Sequence, residues 1–365
     1  MKSIRPLTPP FHALCSAVLF GLGLSTALLA PVRSFAAEEI PDAAQGVMLP
    51  PLETVKVSSS IDGHQQPVLV WAPESATSEP RPILIFLHSW SANYKQDNSA
   101  WQAEAVKRGW IYLHPDFRGP NFNPDAGGSL LAQQDILDAL AWAKSKYKVD
   151  PNRVYLAGSS GGGFMTLLMA GRYGNNFSAA SAWVPISDLA EWYRFHTKNG
   201  MPGRYAQNVA SMCGGAPGAS VAVDEQYRNR SPLTFLKNAG DLPVDINAGV
   251  HDGWTGSVPI THSLLAFNEI AAACKSPLIT PVEIKQLREQ RKLSAPTTGD
   301  TAGDATYIRS FDKVPSTEPC KIFLRRHAGP SRVTIFDGGH VAIPSAACQW
   351  LEQHSRATAS NSDPK

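Results

Sequence analysis

The stretch Gly158-Ser159-Ser160-Gly161-Gly162 constrains this 365-residue chain more than any other. It reads G-x-S-x-G, behind the apolar run Val154-Tyr155-Leu156-Ala157 and ahead of Phe164-Met165-Thr166-Leu167-Leu168-Met169-Ala170. A buried strand, a sharp turn and a helix form the setting in which this pattern presents a serine hydroxyl for chemistry. The glycines serve that end, because a hydroxyl held on a strained turn needs neighbours without Cβ. Ser160 is therefore the candidate nucleophile. Phosphate-binding readings fail, since no Lys-Ser/Thr pair follows the glycines and G-x-G-x-x-G spacing is absent.

Around this turn, apolar runs alternate with helical patterns. Residues 55–59 and 67–71 read as antiparallel strands, and 83–87 as a buried central strand. Residues 99–108 predict a helix capped by Gly109, followed by a strand at 110–113. An amphipathic helix covers 129–147. Further strands are expected at 154–157, 180–185, 244–250 and 333–336, with helices at 259–273 and 345–354. The predicted fold class is α/β: a mostly parallel central sheet with helices on both faces and a cap insertion. Sites in such sheets lie beyond the carboxyl ends of the strands.

The N-terminus carries Lys2 and Arg5, then an apolar stretch over residues 11–30, then Ser34-Phe35-Ala36. This is the pattern of a secretory signal peptide, residues 1–36, leaving one domain over 37–365 that is expected to be secreted or periplasmic. No later stretch is long and apolar enough to cross a membrane, so no membrane partner is expected once the leader is cleaved. The net charge of +2 comes without a basic stripe, which argues against nucleic acid. Two segments interrupt the alternation: an aromatic-rich one at about 189–240, read as a cap, and a polar one at about 274–319. Cys213, Cys274, Cys320 and Cys348 remain after leader removal, and export permits disulfides. Cys274 and Cys320 bracket the second insert, so their pairing would pin it, although four cysteines allow three pairings. No C-x-x-C occurs, so no metal is expected, and no motif calls for a cofactor.

A serine hydroxyl needs a histidine to take its proton, and that histidine needs a carboxylate to fix its tautomer. His340 follows the strand at 333–336 through Asp337-Gly338-Gly339 and precedes the last helix. Asp252 lies just past the strand at 244–250. Asp188 is its rival, and its alternative role is to cap the first cap helix. The oxyanion needs two N–H donors. Gly161 supplies one, and Ser89 or Trp90, in the loop after residues 83–87, supplies the other. His88 is read as a structural brace. Trp183, Trp192, Tyr193, Tyr205 and Trp254 stand in or near the surrounding loops, as substrate-binding platforms or as packing.

These residues together resemble the α/β-hydrolase superfamily over roughly residues 50–355. The closer likeness is to the catalytic domain of prolyl-oligopeptidase-type serine hydrolases and to secreted esterases of similar build. It rests on Leu87-His88, Asp116-Phe117-Arg118-Gly119, Ala157 to Gly163, Gly249-Val250-His251-Asp252 and Gly338-Gly339-His340. The chain departs from the frequent His-Gly-Gly of such esterases, with His88-Ser89-Trp90 in its place. Only about 120 residues separate the leader from Ser160, too few for the β-propeller of full-length prolyl oligopeptidases.

The resemblance implies a Ser-His-Asp hydrolase working through an acyl-enzyme on a small-molecule or oligomeric ester of a carbohydrate, aromatic or polyester type. A serine peptidase with the same triad is the alternative. A non-catalytic binding protein is the third reading, disfavoured because all three triad members stand in order.

Overall fold

The computed structural model describes residues 48–309 and 316–356; the expected leader lies outside them. At one sheet edge, β1 (Glu53–Ser58) and β2 (Gln65–Trp71) form an antiparallel hairpin. Parallel strands follow: β3 (Arg81–Leu87), β4 (Ile111–Pro115), β5 (Val149–Ser159) and β6 (Ala179–Trp183). A small ribbon, β7 (Thr197–Lys198) with β8 (Met201–Pro202), stands apart from the sheet. The sheet resumes with β9 (Val244–Gly249), β10 (Ile322–Ala328) and β11 (Ser331–Phe336). The strand order is β1-β2-β4-β3-β5-β6-β9-β11-β10. This is the predicted α/β architecture, with a mostly parallel sheet.

Strand alternation divides the core in two. Ile83, Ile85 and Leu87 point to the face covered by α2 (Leu130–Lys146), α3 (Gly161–Tyr173) and α7 (Thr261–Ala273), where Ile136, Leu167 and Phe267 are buried. Leu84 and Phe86 point to the opposite face, under α1 (Ser99–Arg108) and α9 (Pro344–Glu352), with Trp101 and Trp350. A central strand buried on both faces must be apolar throughout, and Pro82 to Leu87 is. Helix ends follow local chemistry. Ser129 accepts from the Ala132 amide at 3.0 Å, and Gly109 closes α1 at φ 62°.

The two inserts hold more structure than their composition suggests. The first carries α4 (Leu189–Phe195), α5 (Arg204–Cys213) and α6 (Val221–Arg230). Buried Arg230 ties it to the loop before α2 by donating to the carbonyls of Pro124, Ala126 and Gly127. The second insert begins with α8 (Pro281–Gln290), opened by a capping box between Thr280 and Glu283. Strand β10 escapes sequence reading because Arg325 and Arg326 interrupt its apolar pattern. Both arginines bind acids of the insert, Arg325 to Asp304 and Arg326 to Glu283 and Asp300.

The expected disulfide is absent: no disulfide joins the described cysteines. Cys274, at the end of α7, packs with the core of one sheet face, whereas Cys320 belongs to the core of the other. Cys213 is buried among apolar groups, which pushes its thiol pKa up to about 12.

One polar network crosses the core. Asp245 of β9 accepts from Arg332 Nε at 2.7 Å, Ser181 Oγ at 2.8 Å and Asn247 Nδ2 at 2.7 Å. Trp183 Nε1 donates to Ser181 Oγ, and the Tyr307 hydroxyl of the second insert donates to Asn247 Oδ1 at 2.6 Å. Burial works against the Arg332 cation, but facing Asp245 outweighs it and raises the arginine's pKa. Removing one partner strands a buried charge. Asp245→Ala is expected to cost about 3–5 kcal/mol of unfolding free energy, measured by urea titration, and the Asp245→Leu/Arg332→Met pair far less. A single-variant loss below about 1 kcal/mol would contradict this account.

Candidate active site

Three loops, at the carboxyl ends of β3, β9 and β11, build the site with the turn from β5 into α3. Ser160 stands between β5 and α3 at φ 57° and ψ −117°, a region that non-glycine residues rarely occupy. Both of its backbone groups are held. Its amide donates to the Trp183 carbonyl at 2.9 Å, and its carbonyl accepts from the Phe164 amide at 2.8 Å. The side chain therefore leaves a fixed, half-buried turn at the start of α3.

Residue 161 has to be glycine here. A Cβ at Gly161 would overlap the Trp90 backbone nitrogen and lie 2.5 Å from its Cα. The loop after β3 is thus in backbone contact with the residue after Ser160. The Trp90 and Gly161 amides have no acceptor among the described residues. The Ser89 amide is committed to Gln96 Oε1 at 2.8 Å. Of the two expected donors in this loop, Ser89 is occupied and Trp90 is available.

The loop is braced from below. Buried His88 stacks on Phe117 at 3.9 Å, and its ring nitrogens face the carbonyls of Ser89 and Asp116 at 3.0 and 2.6 Å. Burial pushes the His88 pKa down against the pull of those carbonyls. Arg118, next to Phe117, is ion-paired with Asp135 at 2.6 Å and Asp62 at 2.7 Å. The Asp116-Phe117-Arg118 stretch thus anchors the oxyanion loop to α2 and the first hairpin.

Asp252 follows β9 and is 2% exposed. Its Oδ1 accepts from the amides of Gly253 at 2.9 Å and Val258 at 3.1 Å, and its Oδ2 accepts from His340 Nδ1 at 2.7 Å. This bond leaves His340 Nε2 as the free, basic nitrogen of the neutral ring. Gly256 lies against the pair, where a Cβ would collide with Asp252 Oδ1 and sit 2.7 Å from His340 Cβ. The two loops are also joined by their backbones, His251 N donating to Gly338 O at 3.0 Å.

The rival residues are engaged elsewhere. Asp188 caps α4, accepting from Ala190 and Glu191 amides at 2.8 and 3.1 Å. His262 faces Ser187 and Asp188, His354 faces Trp350 O, and His251 pairs with Asp337 at 3.3 Å.

The aromatic platforms divide. Trp183 is a core residue rather than a substrate wall: it is fully buried against Tyr307 and Phe336. Trp192 is also sealed, 1% exposed, packed at 4.6 Å on Trp90 and donating through Nε1 to Ser257 O at 2.9 Å. Half-buried Tyr205 packs on Trp192 and His196, and half-buried Tyr193 on Tyr227. Trp254 is 61% exposed. Sequence reasoning missed Gln96, Gly256 and Ser257. Their roles come from loop paths that no local pattern encodes, although Gly256, four residues past Asp252, marks a loop needing close approach.

Residues 97–276 match the Prolyl oligopeptidase family. Two solved acylaminoacyl peptidases share the architecture. One, bound to Z-Gly-Gly-Phe-chloromethyl ketone, is 22% identical, with a TM-score of 0.50 over 63% of this chain and 36% of that one. The other, from Pyrococcus horikoshii, is 21% identical, with the same TM-score and coverage. The chain has the α/β-hydrolase fold, and the match to the prolyl oligopeptidase family covers just under half of it. Among curated proteins, it is 27% identical to feruloyl esterase B of Talaromyces stipitatus over 52% of this chain and 48% of that protein. It is 25% identical to a probable acetylxylan esterase A of Aspergillus clavatus over 32% of this chain and 41% of that protein. The matches thus span less than half the length of either esterase.

Two buried histidines give this hydrolase an acid-sensitive frame. His114, beside the oxyanion loop, donates from Nδ1 to Phe86 O, and its Nε2 accepts from Asn98 Nδ2. His262 Nδ1 accepts from the Ser187 amide. A nitrogen that accepts an N–H cannot also carry a proton. Burial accordingly lowers the pKa to about 3 for His114 and about 4 for His262. The unfolded chain takes up these protons near pH 6.5, so the stabilisation is complete above that pH and is lost as pH falls toward 4. Each histidine should contribute a slope of about 1.4 kcal/mol per pH unit. Urea midpoints from pH 7 to 4.5 should fall, and less steeply in His262→Gln; an unchanged slope in that variant refutes the assignment.

Proposed function

We propose that this serine hydrolase is an exported carboxylic-ester hydrolase in which Ser160, His340 and Asp252 form the triad. Two observations support the reading: the strained turn that carries Ser160 after β5, and an Asp252–His340 pair bonded at 2.7 Å in the loops after β9 and β11. Ser160 Oγ attacks the ester carbonyl while His340 Nε2 takes its proton. The oxyanion accepts hydrogen bonds from the Gly161 and Trp90 amides, helped by the positive end of α3. His340 then protonates the leaving alcohol, and Asp252 stabilises the imidazolium. Water, activated by the same histidine, releases the acid from the acyl-enzyme.

Likeness to feruloyl esterase B and acetylxylan esterase A supports an ester of a carbohydrate, with an aromatic or acetyl acid part. A peptidase reading draws on the family model, and the acylaminoacyl peptidase structures add only the fold.

Ser160→Ala should reduce turnover of p-nitrophenyl acetate by on the order of 10⁶-fold, and Asp252→Asn by about 10⁴-fold through the wrong histidine tautomer. Wild-type rates in Ser160→Ala would refute the triad. A panel of feruloylated and acetylated sugars against aminoacyl naphthylamides tests the substrate: faster amide than ester cleavage would favour the peptidase.

A further inference from the structure

The loop that carries Asp252 also carries the most exposed large aromatic side chain among the described residues. Trp254 is 61% exposed, yet it is not loose. Its Nε1 donates to the Arg288 carbonyl at 3.0 Å, at the end of α8. The Arg291 guanidinium lies 4.2 Å from the ring centroid and covers one face. Arg291 itself stands at φ 57° and has no carboxylate partner among the described residues. An indole fixed at one edge and backed on one face leaves its other face open. Leaving so much of a tryptophan in water forgoes burial that a core position would supply. Holding it rigid lowers the entropy cost of any ring that stacks on it.

Its position assigns a side of the reaction. Trp254 is two residues from Asp252 and two from Gly256, and Gly256 packs on His340 Cβ. His340 must protonate the leaving oxygen, so the alcohol part of the ester lies on the histidine side. Trp90 and its loop lie on the oxyanion side. The loop that carries Trp254 is therefore the one on the leaving-alcohol side. The cation beneath it draws on the ring's negative quadrupole, which disfavours a second cation above and suits a flat, uncharged ring.

We propose that Trp254, fixed by Arg288 and Arg291, is a leaving-group subsite that stacks the sugar ring of carbohydrate esters. This rests on the ester-hydrolase reading and narrows it: selectivity is set by the alcohol, whatever the acid. The test compares methyl ferulate and ethyl acetate with ferulate and acetate esters of xylobiose, in the full chain. Trp254→Ala should raise KM for both xylobiose esters roughly threefold to tenfold. It should leave their kcat, and both constants for the simple alkyl esters, unchanged. Trp254→Phe should recover most of the affinity. Equal KM changes for alkyl and xylobiose esters, or none for either, overturn the subsite. A rise confined to the ferulates would place the acid's ring on Trp254 and also overturn it. Failure of the underlying hydrolase reading would appear separately, as ester turnover surviving in Ser160→Ala.

Discussion

Everything at this site depends on backbones meeting without side chains between them. The loop after β3 reaches the start of α3 only because residue 161 has no Cβ, and the Asp252–His340 pair closes only because residue 256 has none. These two contacts put the Trp90 and Gly161 amides side by side and seat Asp252 against His340. The cost is borne by Ser160, whose left-handed backbone persists because Trp183 O and Phe164 N hold it at both ends. The geometry of the site is a property of main-chain packing, and the side chains of Ser160, Asp252 and His340 inherit it.

The parts of this arrangement legible in the sequence are those with local causes. Apolar runs such as Ile83 to Leu87 mark strands buried on both faces, and Gly109 and Ser129 mark helix ends by their own stereochemistry. Fold class follows from the alternation of such signals. The triad candidates follow from a serine, an acid and a histidine each placed just past a strand. What escaped has long-range causes. Strand β10 is carried by arginines whose partners lie some twenty to forty residues away in the insert. Ser89 is withdrawn from the oxyanion by Gln96, and Trp183 turns into the core toward Tyr307. The cysteine pairing fails because the sheet stands between the two cores to which Cys274 and Cys320 belong. Spacing along a chain carries no sign of which face of a sheet a residue will join.

The second insert is tied to the strands that lead into the site more closely than its polar composition suggests. Tyr307 reaches Asn247 in β9, and the same cluster includes Arg332 in β11. Those two strands end in the loops of Asp252 and His340. A segment that reads as an appendage thus packs into the core below the loops of Asp252 and His340, and its own helix α8 holds Trp254.

The carbonyl of Ser257 accepts from two cap side chains, Trp192 Nε1 at 2.9 Å and His196 Nε2 at 2.8 Å, while the next residue's amide holds Asp252. The cap is therefore not a detachable roof. A graft that brings a new roof to this scaffold inherits an obligation: it must supply donors for that one oxygen, or the carboxylate loses the footing of its own loop. Exchange of specificity between relatives of this architecture is then easiest in the exposed turn around Trp254, where side chains can change without disturbing that oxygen.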